Sequence, residues 1–483
     1  MNEHKLFTQR IILIGITNLV VSLSGIILLP ILTRALSIED YGIWVQISVT
    51  IGLIPAIVTL GLPEAMVRFL AGIKNREEIQ EGFYSIAFIL LIMSAIASLS
   101  LLLFSEYIAK ILFNNNLIVA KSISLIIFIE CLNNLTINFF RTFQQIQKYS
   151  IISFARICLI TALVTYFVLS GGGIIGALMG FTISIIVAFL IQAFLIFMEI
   201  GAGIPKFTHM KEYLSFSLPI LPISLSNWAV NSSDRYVIGL LLGTAFVGYY
   251  SPGYALGSII LMFVAPLAFM LPAVLSQHFD ENNEDAVKMV LRYSLKYFLL
   301  LAIPTFFGLS LLSKTLLLML STPEIASQGY MITPFVAASS LLFGCYVIIA
   351  QILALEKRTS IGGAIWSISA ILNLGLNMIF VPYFGILGAA ITTLIAFTFA
   401  FILITYCSFK CLTFDIEFKF ILKSIVASIV MSSVIVKWSP AGISNVLITI
   451  VICIAIYASI LVLMGGIKKD EFKFFGGLLR HKV

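Results

Sequence analysis

One acidic residue lies in the middle of an apolar stretch, residues 117–140, and this residue is Glu130. A carboxylate at that depth in hydrocarbon is costly and usually marks a functional site. Asn134, Asn138 and Arg141 follow Glu130 at helical spacing, within roughly 80° of one another. A surface that faces lipid would not carry such a stripe, so we expect it to face protein or a water-filled cavity. The alternative for Glu130 is a hydrogen bond, in its protonated form, to a neighbouring helix.

A second polar stripe occurs between residues 224 and 235. Its members fall within roughly 100° of one another on a helical wheel and are Ser224, Asn227, Asn231, Asp234 and Arg235. Asp234 and Arg235 lie about seven residues inside the predicted span, roughly 10 Å deep. They either line a cavity, neutralise each other, or place the arginine head at the membrane surface.

Other polar residues inside apolar stretches are candidates for the same cavity. Arg156 lies about six residues from one end of its predicted span, where ligand binding and extension to the membrane surface are both open. Gln351, Asn373 and Asn377 lie in the second half of the chain. They either line a polar path or form hydrogen bonds between helices.

Composition places these residues in a membrane protein. Of the 483 residues, 60% are hydrophobic and 11% are charged, whereas a soluble chain carries about 25% charged residues. Apolar runs of about 20 residues recur, which is long enough to cross a bilayer core of roughly 30 Å. We predict an all-α integral membrane protein with about 14 spans, at residues 11–33, 41–62, 83–104, 117–140, 150–170, 173–198, 215–241, 245–273, 296–313, 328–354, 361–382, 386–408, 420–437 and 444–466.

The distribution of basic residues predicts the orientation. With the N-terminus on the cytoplasmic side, the cytoplasmic segments contain 22 of the 29 Lys and Arg residues. This asymmetry follows the positive-inside rule, so we expect both termini to be cytoplasmic. The net charge of +7 follows from this bias and gives no argument for nucleic acid binding.

Cysteine, histidine and loop length limit the function classes. The six Cys and four His residues form no metal-binding spacing, and we predict no metal and no cofactor, although coupling to protons or sodium ions is compatible with the sequence. The longest loops have about 20 residues, so no soluble domain is inserted. A membrane polymerase or ligase is therefore the third hypothesis, since it needs a large external loop for its catalytic residues.

The chain contains an internal repeat. Three segments recur in order with an offset of about 210 residues, and six spans separate the two copies, so the copies have the same orientation. Such parallel repeats predict two lobes around a central site. We assign residues 1–205 to the first six-helix lobe, 206–412 to the second, and 413–483 to two additional helices and a cytoplasmic tail. The matched segments are residues 36–44 with 242–250, 148–151 with 358–361, and 173–177 with 385–389.

Several of these segments resemble Wzx-type polysaccharide flippases. The motifs that carry the resemblance are LTRALSIEDYG at 32–42, DRYVIG at 234–239 with VGYY at 247–250, and GILGAA at 385–390. The superfamily also contains MATE drug exporters and lipid II flippases. The resemblance implies a V-shaped cavity between two lobes and alternating access. It also implies movement of an undecaprenyl-pyrophosphate-linked oligosaccharide from the inner to the outer leaflet of the cytoplasmic membrane, for surface polysaccharide such as O-antigen.

This cargo suggests roles for the buried polar residues. Arginine suits phosphate oxygens, so Arg235 and Arg156 are predicted to bind the pyrophosphate. Amides bind sugar hydroxyls, which gives this role to Asn134, Asn231, Gln351 and Asn377; Glu130 and Asp234 are predicted to couple an ion. The expected partners are the lipid-linked oligosaccharide, membrane lipids, and a polysaccharide polymerase and glycosyltransferases, with the flippase itself functional as a monomer. A MATE-like cation-coupled drug or metabolite antiporter is the second hypothesis.

Overall fold

The computed structural model describes residues 15, 17, 24–438 and 440–466, and their regular secondary structure is entirely helical. Ten helices in this part of the chain are long and apolar enough to cross a membrane. The prediction of an all-α, multi-pass membrane protein is therefore confirmed. The two termini, predicted to be cytoplasmic, lie outside the described residues.

The helices fall into two compact units, formed by the described residues of Met1–Pro252 with Trp366–Thr392, and of Gly253–Ile365 with Thr393–Val483. The first half of the chain gives α1 Ser24–Ala35, α2 Ile38–Val58, α3 Leu62–Leu70, α4 Arg76–Leu103, α5 Ser105–Leu112, α6 Leu117–Thr142, α7 Ile146–Phe167, α8 Gly173–Ile200, α9 Met210–Ser217 and α10 Leu221–Leu241. The second half gives α11 Thr244–Gly257, α12 Leu261–Asp280, α13 Glu284–Leu320, α14 Pro323–Gly329, α15 Ile332–Leu355, α16 Thr359–Phe409, α17 Phe418–Trp438 and α18 Ile443–Leu463. The first unit includes α10, which the sequence assigned to the second lobe; the lobe boundaries stay a prediction.

Two of the ten apolar helical stretches are too long for one crossing. Ile146–Ile200 has 55 residues, or about 80 Å of helix, against a bilayer core of about 30 Å. It bends at Gly173 (φ 55°, ψ −146°), and the 51-residue α16 bends at Gly385 (φ 59°, ψ −145°). Residues that carry a Cβ atom rarely adopt this backbone conformation, whereas glycine adopts it readily. The two glycines are equivalent in the repeat, so the repeat is visible in the backbone as well as in the sequence.

The α10 helix is not among the ten apolar helices, although its 21 residues would be long enough. The polar stripe at residues 224–235 lies on this helix and lowers its mean hydropathy. The predicted count of 14 spans therefore stays a prediction.

Repeat-related residues of α2 and α11 contact each other within the first unit. A Cβ atom on Gly42 would collide with the backbone oxygen of Thr244, and a Cβ atom on Gly248 would lie 2.7 Å from the backbone oxygen of Ile38. Ile38 and Gly42 correspond to Thr244 and Gly248 at the offset of 206 residues. The two contacts are therefore reciprocal, and each requires a glycine because the backbones approach closely.

The first unit has a polar clamp beside its apolar core. Gln192 of α8 donates to Asn133 of α6 (3.1 Å) and accepts from Thr136 (2.9 Å). Asn133 donates in turn to the carbonyl of Ile185 at 3.0 Å. All three polar side chains are buried. This clamp fixes the register of α6, the helix that carries Glu130.

In the second unit, a partly buried ion cluster joins α13 to the start of α17. Arg292 donates to Glu417 through Nε at 2.8 Å, and Lys296 contacts the other carboxylate oxygen at 3.1 Å. Burial by itself would raise the pKa of the Glu417 carboxyl, but the hydrogen bonds from Arg292 and Lys296 outweigh it and hold this pKa below its ordinary value. The carboxylate is therefore charged in the folded protein at neutral pH.

We expect the ion cluster to make the stability of the folded protein depend on pH below about 5. The pKa of Glu417 is lower in the folded than in the unfolded protein. Its contribution to the free energy of unfolding is therefore complete above the ordinary pKa of about 4.3, and it is lost as the pH falls through the lowered pKa of the folded protein. The melting temperature of the wild type in detergent should fall more between pH 5 and pH 3 than that of Glu417→Gln. Glu356→Gln, at the end of α15, is the matched control and should follow the wild type. Parallel pH profiles for all three proteins would contradict the assignment.

Candidate functional site

Glu130 and Arg156 form an ion pair between α6 and α7. Arg156 Nη2 donates to Glu130 Oε1. The Glu130 side chain is 9% exposed and that of Arg156 is 27% exposed. Two residues that the sequence singled out separately are therefore partners. The observed partner of Glu130 is a basic side chain on the neighbouring helix α7.

The other members of the α6 stripe are more open. Asn134 is exposed, and its side-chain oxygen accepts from Asn138 at 3.2 Å. Arg141 is also exposed, at the end of the helix. Asn134 lies one helical turn from Glu130, so its amide extends the polar surface that begins at the ion pair.

Asp234 and Arg235 form a second neutral pair, near the end of α10. Arg235 Nη1 lies 2.8 Å from Asp234 Oδ1, and their side chains are 10% and 1% exposed. Tyr250 of α11 donates to the other Asp234 oxygen at 2.5 Å, and its ring lies 5.6 Å from the guanidinium carbon. Arg235 also donates to the carbonyl of Asn231. Of the alternatives for this pair, internal neutralisation describes the observed geometry.

Residues of α2 hold this part of α10 in place. Gln46 donates to the carbonyl of Arg235 at 3.1 Å. Thr50 shares a hydrogen bond of 2.6 Å with Tyr236, and Trp228 donates to the carbonyl of Val49 at 3.0 Å. No sequence pattern singled out Gln46, Thr50 or Trp228, because isolated polar and aromatic side chains within apolar helices are common. Tyr236 and Tyr250 lay within two of the quoted motifs, DRYVIG and VGYY, and these motifs could have pointed to them.

The remaining predicted residues bond mainly within their own helices. Asn231 donates to Asn227 (2.8 Å), and Gln351 of the second unit donates to Val347 (3.3 Å). Asn377 donates to the carbonyl of Asn373 at 2.9 Å, and both asparagines are fully buried. The buried Asn373 amide nitrogen and Asn377 amide oxygen have no hydrogen-bond partner among the described residues. Such groups are costly unless something bonds to them.

Two acid–base pairs, Glu130 with Arg156 and Asp234 with Arg235, characterise the buried charges of the first unit. The described residues contain no group of three or more His, Cys, Asp or Glu that could hold a metal ion. Each buried carboxylate in the first unit has an arginine beside it, so protonation of the carboxylate or arrival of an anion would free one partner of the pair. Arg156 is the more accessible of the two arginines.

These features define an all-α membrane protein with acid–base pairs among its helices. A family model described as "Polysaccharide biosynthesis protein" matches residues 7–276, and the chain belongs to that family. A second model, MatE, matches residues 219–379. The sequence resemblance is thereby confirmed at the level of the superfamily that contains both.

Two curated relatives from Haloferax volcanii are similar in sequence. The probable low-salt glycan biosynthesis flippase Agl15 is 25% identical over 56% of this chain and 58% of its own length. The probable flippase AglR is 28% identical over 35% of this chain and 36% of its own length. The chain thus matches less than two thirds of either relative.

Solved structures share the fold. The lipid II flippase MurJ, in an inward closed conformation, has a TM-score of 0.74 at 20% identity and covers 97% of this chain and 100% of its own. An inward-facing multidrug resistance MATE family transporter has a TM-score of 0.68 at 15% identity, and the match covers 82% of this chain and 97% of the transporter. At these identities the likeness concerns the fold alone.

Proposed function

We propose that the protein is a flippase, and not an enzyme, that moves an undecaprenyl-pyrophosphate-linked oligosaccharide from the inner to the outer leaflet of the cytoplasmic membrane. Family membership and the flippase names of the two relatives support this class of activity. In this proposal the protein acts as a monomer with cytoplasmic termini. Glycosyltransferases supply its cargo and a polysaccharide polymerase uses it.

The ion pair of Glu130 and Arg156 carries the proposal. Arg156 is held inside the bundle by a carboxylate, yet 27% of its side chain is exposed. A pyrophosphate needs charge-assisted partners, and arginine can bind its oxygens in pairs. Protonation of Glu130, or its replacement by the cargo phosphate, would release Arg156 for this contact. Cargo binding and proton binding would then be linked through one pair.

The other predicted residues have proposed roles of their own. The exposed amide of Asn134 and the amides of Asn231, Gln351 and Asn377 would bond sugar hydroxyls. Arg235 would act as a second phosphate contact, which requires it to leave Asp234 and Tyr250. Asp234 would then take up a proton or a sodium ion. We rank Arg235 after Arg156 because its side chain is 10% exposed and already bonded on several sides.

The test is transport in proteoliposomes with a fluorescent undecaprenyl-pyrophosphate oligosaccharide. We expect the wild type to move this lipid, and Arg156→Gln to lose at least 90% of the rate, because a neutral amide cannot replace a bidentate cation. Lys148→Met is the matched control, since Lys148 also forms an ion pair from α7, with Glu199 at 2.8 Å. It should keep the wild-type rate. No transport by the wild type, with several glycans supplied, would overturn the proposal.

A MATE-like cation-coupled antiporter is the second candidate, favoured by the MatE match to residues 219–379. In that case Asp234 and Glu130 would bind the exchanged cation and the arginines would only balance charge. Ion-driven efflux of a cationic dye by the same proteoliposomes, together with no movement of the lipid, would favour it.

A further inference from the structure

A mixed-charge pocket lies beside the first turns of α13. It has a volume of about 570 Å³ and is lined by residues that include Asp285, Lys288, Arg292, Phe414 and Asp415. We call it the polar pocket. It lies at the end of α13 that the charge pattern predicts to be cytoplasmic. None of its residues belongs to the proposed transport site.

An apolar groove begins about one turn further along α13. It has a volume of about 400 Å³, and hydrocarbon and aromatic side chains of α13, α15, α16 and α17, together with the Cys345 thiol, line it. On α13 the groove extends from Leu295 to Phe307, or about 18 Å along the helix axis. One leaflet of the bilayer core is about 15 Å thick. The groove is therefore as long as one acyl chain of a single leaflet.

The polar pocket and the apolar groove share one face of α13. Seven of the ten α13 residues that line them follow one another at intervals of three or four, which places these seven on a single stripe. The segment between α16 and α17 also lines both cavities, with Phe414 and Asp415 at the pocket and Ile416 at the groove. The stripe consists of Asp285, Lys288, Arg292, Leu295, Leu299, Ile303 and Phe306.

The charged side chains around the polar pocket suit a lipid headgroup that carries both a negative and a positive charge. Lys288 is paired with Glu284 at 2.8 Å, and Arg292 and Lys296 with Glu417. Arg292 Nη1 is held loosely, 3.8 Å from Asp415. Asp285 is exposed, and so is Asp415, with 78% of its side chain accessible. A phosphate can approach Lys288 and Arg292 while an ammonium group takes the two exposed carboxylates.

We propose that the polar pocket and the apolar groove together bind a membrane phospholipid whose headgroup carries a phosphate and a primary ammonium, such as phosphatidylethanolamine. The headgroup occupies the polar pocket and one acyl chain lies in the groove. A purely anionic phospholipid would bring no cationic group to the exposed carboxylates of Asp285 and Asp415. A bound lipid of this kind would hold α17 against α13 next to the ion cluster of Glu417.

Binding is measured on the full-length protein in detergent, without transport, so its failure and that of the flippase proposal are separable. The probes are dioleoyl phosphatidylethanolamine and dioleoyl phosphatidylglycerol, read by retained lipid in native mass spectrometry and by melting temperature. We expect phosphatidylethanolamine to be retained at least five-fold more and to raise the melting temperature by several degrees. Equal retention of the two lipids by the wild type would overturn the headgroup assignment.

Two pairs of variants test the two halves of the site. Asp285→Asn with Asp415→Asn should abolish the preference for phosphatidylethanolamine, whereas Asp280→Asn, on an exposed carboxylate at the end of α12, should keep it. Ile425→Trp fills the groove and should lower retention of the lipid, whereas Val426→Trp, on a neighbouring residue that is 38% exposed, should not. Undiminished retention in Ile425→Trp would overturn the placement of the acyl chain. Displacement of the phospholipid by undecaprenyl phosphate at equal concentration would also overturn the proposal, since the site would then belong to the cargo.

Discussion

Glu130→Gln is expected to reduce the flipping rate at least tenfold and to remove its dependence on pH. The substitution keeps the shape of the side chain but leaves Arg156 without the carboxylate that Arg156 Nη2 contacts in the structure. If cargo binding and proton binding compete at this pair, a glutamine can take no part in the exchange. Initial rates in proteoliposomes between pH 6 and pH 8 measure both effects.

The same substitution should also lower stability. Removing one partner of a buried ion pair costs about 3 to 5 kcal/mol when both partners are fully buried. Arg156 is partly exposed, so we expect the lower part of that range or less, about 2 kcal/mol. Glu130→Gln with Arg156→Met removes both charges and should recover most of the lost melting temperature in detergent without recovering transport.

A matched ion pair controls for the loss of any helix contact. Glu199→Gln breaks the pair of Glu199 with Lys148, which is more exposed, and should change neither the rate nor its pH dependence. A Glu130→Gln protein that transports at the wild-type rate, with the wild-type pH profile, would remove Glu130 from the coupling step.

Gly42→Ala is expected to be the most damaging of the small substitutions. The added methyl group would be placed against the backbone oxygen of Thr244, which cannot rotate away as a side chain could. The α2 and α11 backbones must then separate, and overpacking of this kind costs about 1 to 3 kcal/mol. We expect a lower melting temperature and a loss of most transport, because the reciprocal contact is part of the described state. Gly248→Ala should behave similarly, since its Cβ atom would lie 2.7 Å from both the backbone oxygen and a side-chain carbon of Ile38.

Gly52→Ala on the same helix is the control for Gly42→Ala. Its Cβ atom would lie 3.5 Å from the ring of Trp228, an ordinary contact. Alanine favours a helix over glycine by up to about 1 kcal/mol, so this variant should be as stable as the wild type or more so. Equal stability and transport for Gly42→Ala and Gly52→Ala would show that α2 and α11 do not need this close approach.

The internal repeat predicts equivalent segments but not the contacts between them. Three short matches at nearly constant offset predicted equivalent segments, and the equivalent glycines Gly173 and Gly385 indeed share one backbone conformation. The matches could not show that the segments around Gly42 and Gly248 contact each other. A constant offset in the sequence shows which residues are equivalent in the two copies. Whether equivalent residues touch depends on how helices that are far apart in the chain pack together.

The polar residues show the same limit. Glu130, Arg156, Asp234 and Arg235 could be selected from the sequence because charges inside apolar runs are costly and therefore informative. That Glu130 pairs with Arg156, and that Tyr250 contacts Asp234, could not be predicted in this way. The pairing of Glu130 with Arg156 spans 26 residues and two helices, and Tyr250 reaches Asp234 from the next helix.

The sequence by itself determined the membrane class, the helical character and the family, because apolar length, composition and local motifs are properties of the chain alone. The tertiary structure alone decided that Arg156 pairs with Glu130, that Arg156 is more accessible than Arg235, and that a polar pocket and an apolar groove share one face of α13. The physical reason is that side chains on several helices jointly set pairing, exposure and cavity shape. A pattern along one helix fixes which residues share a face but not what that face meets.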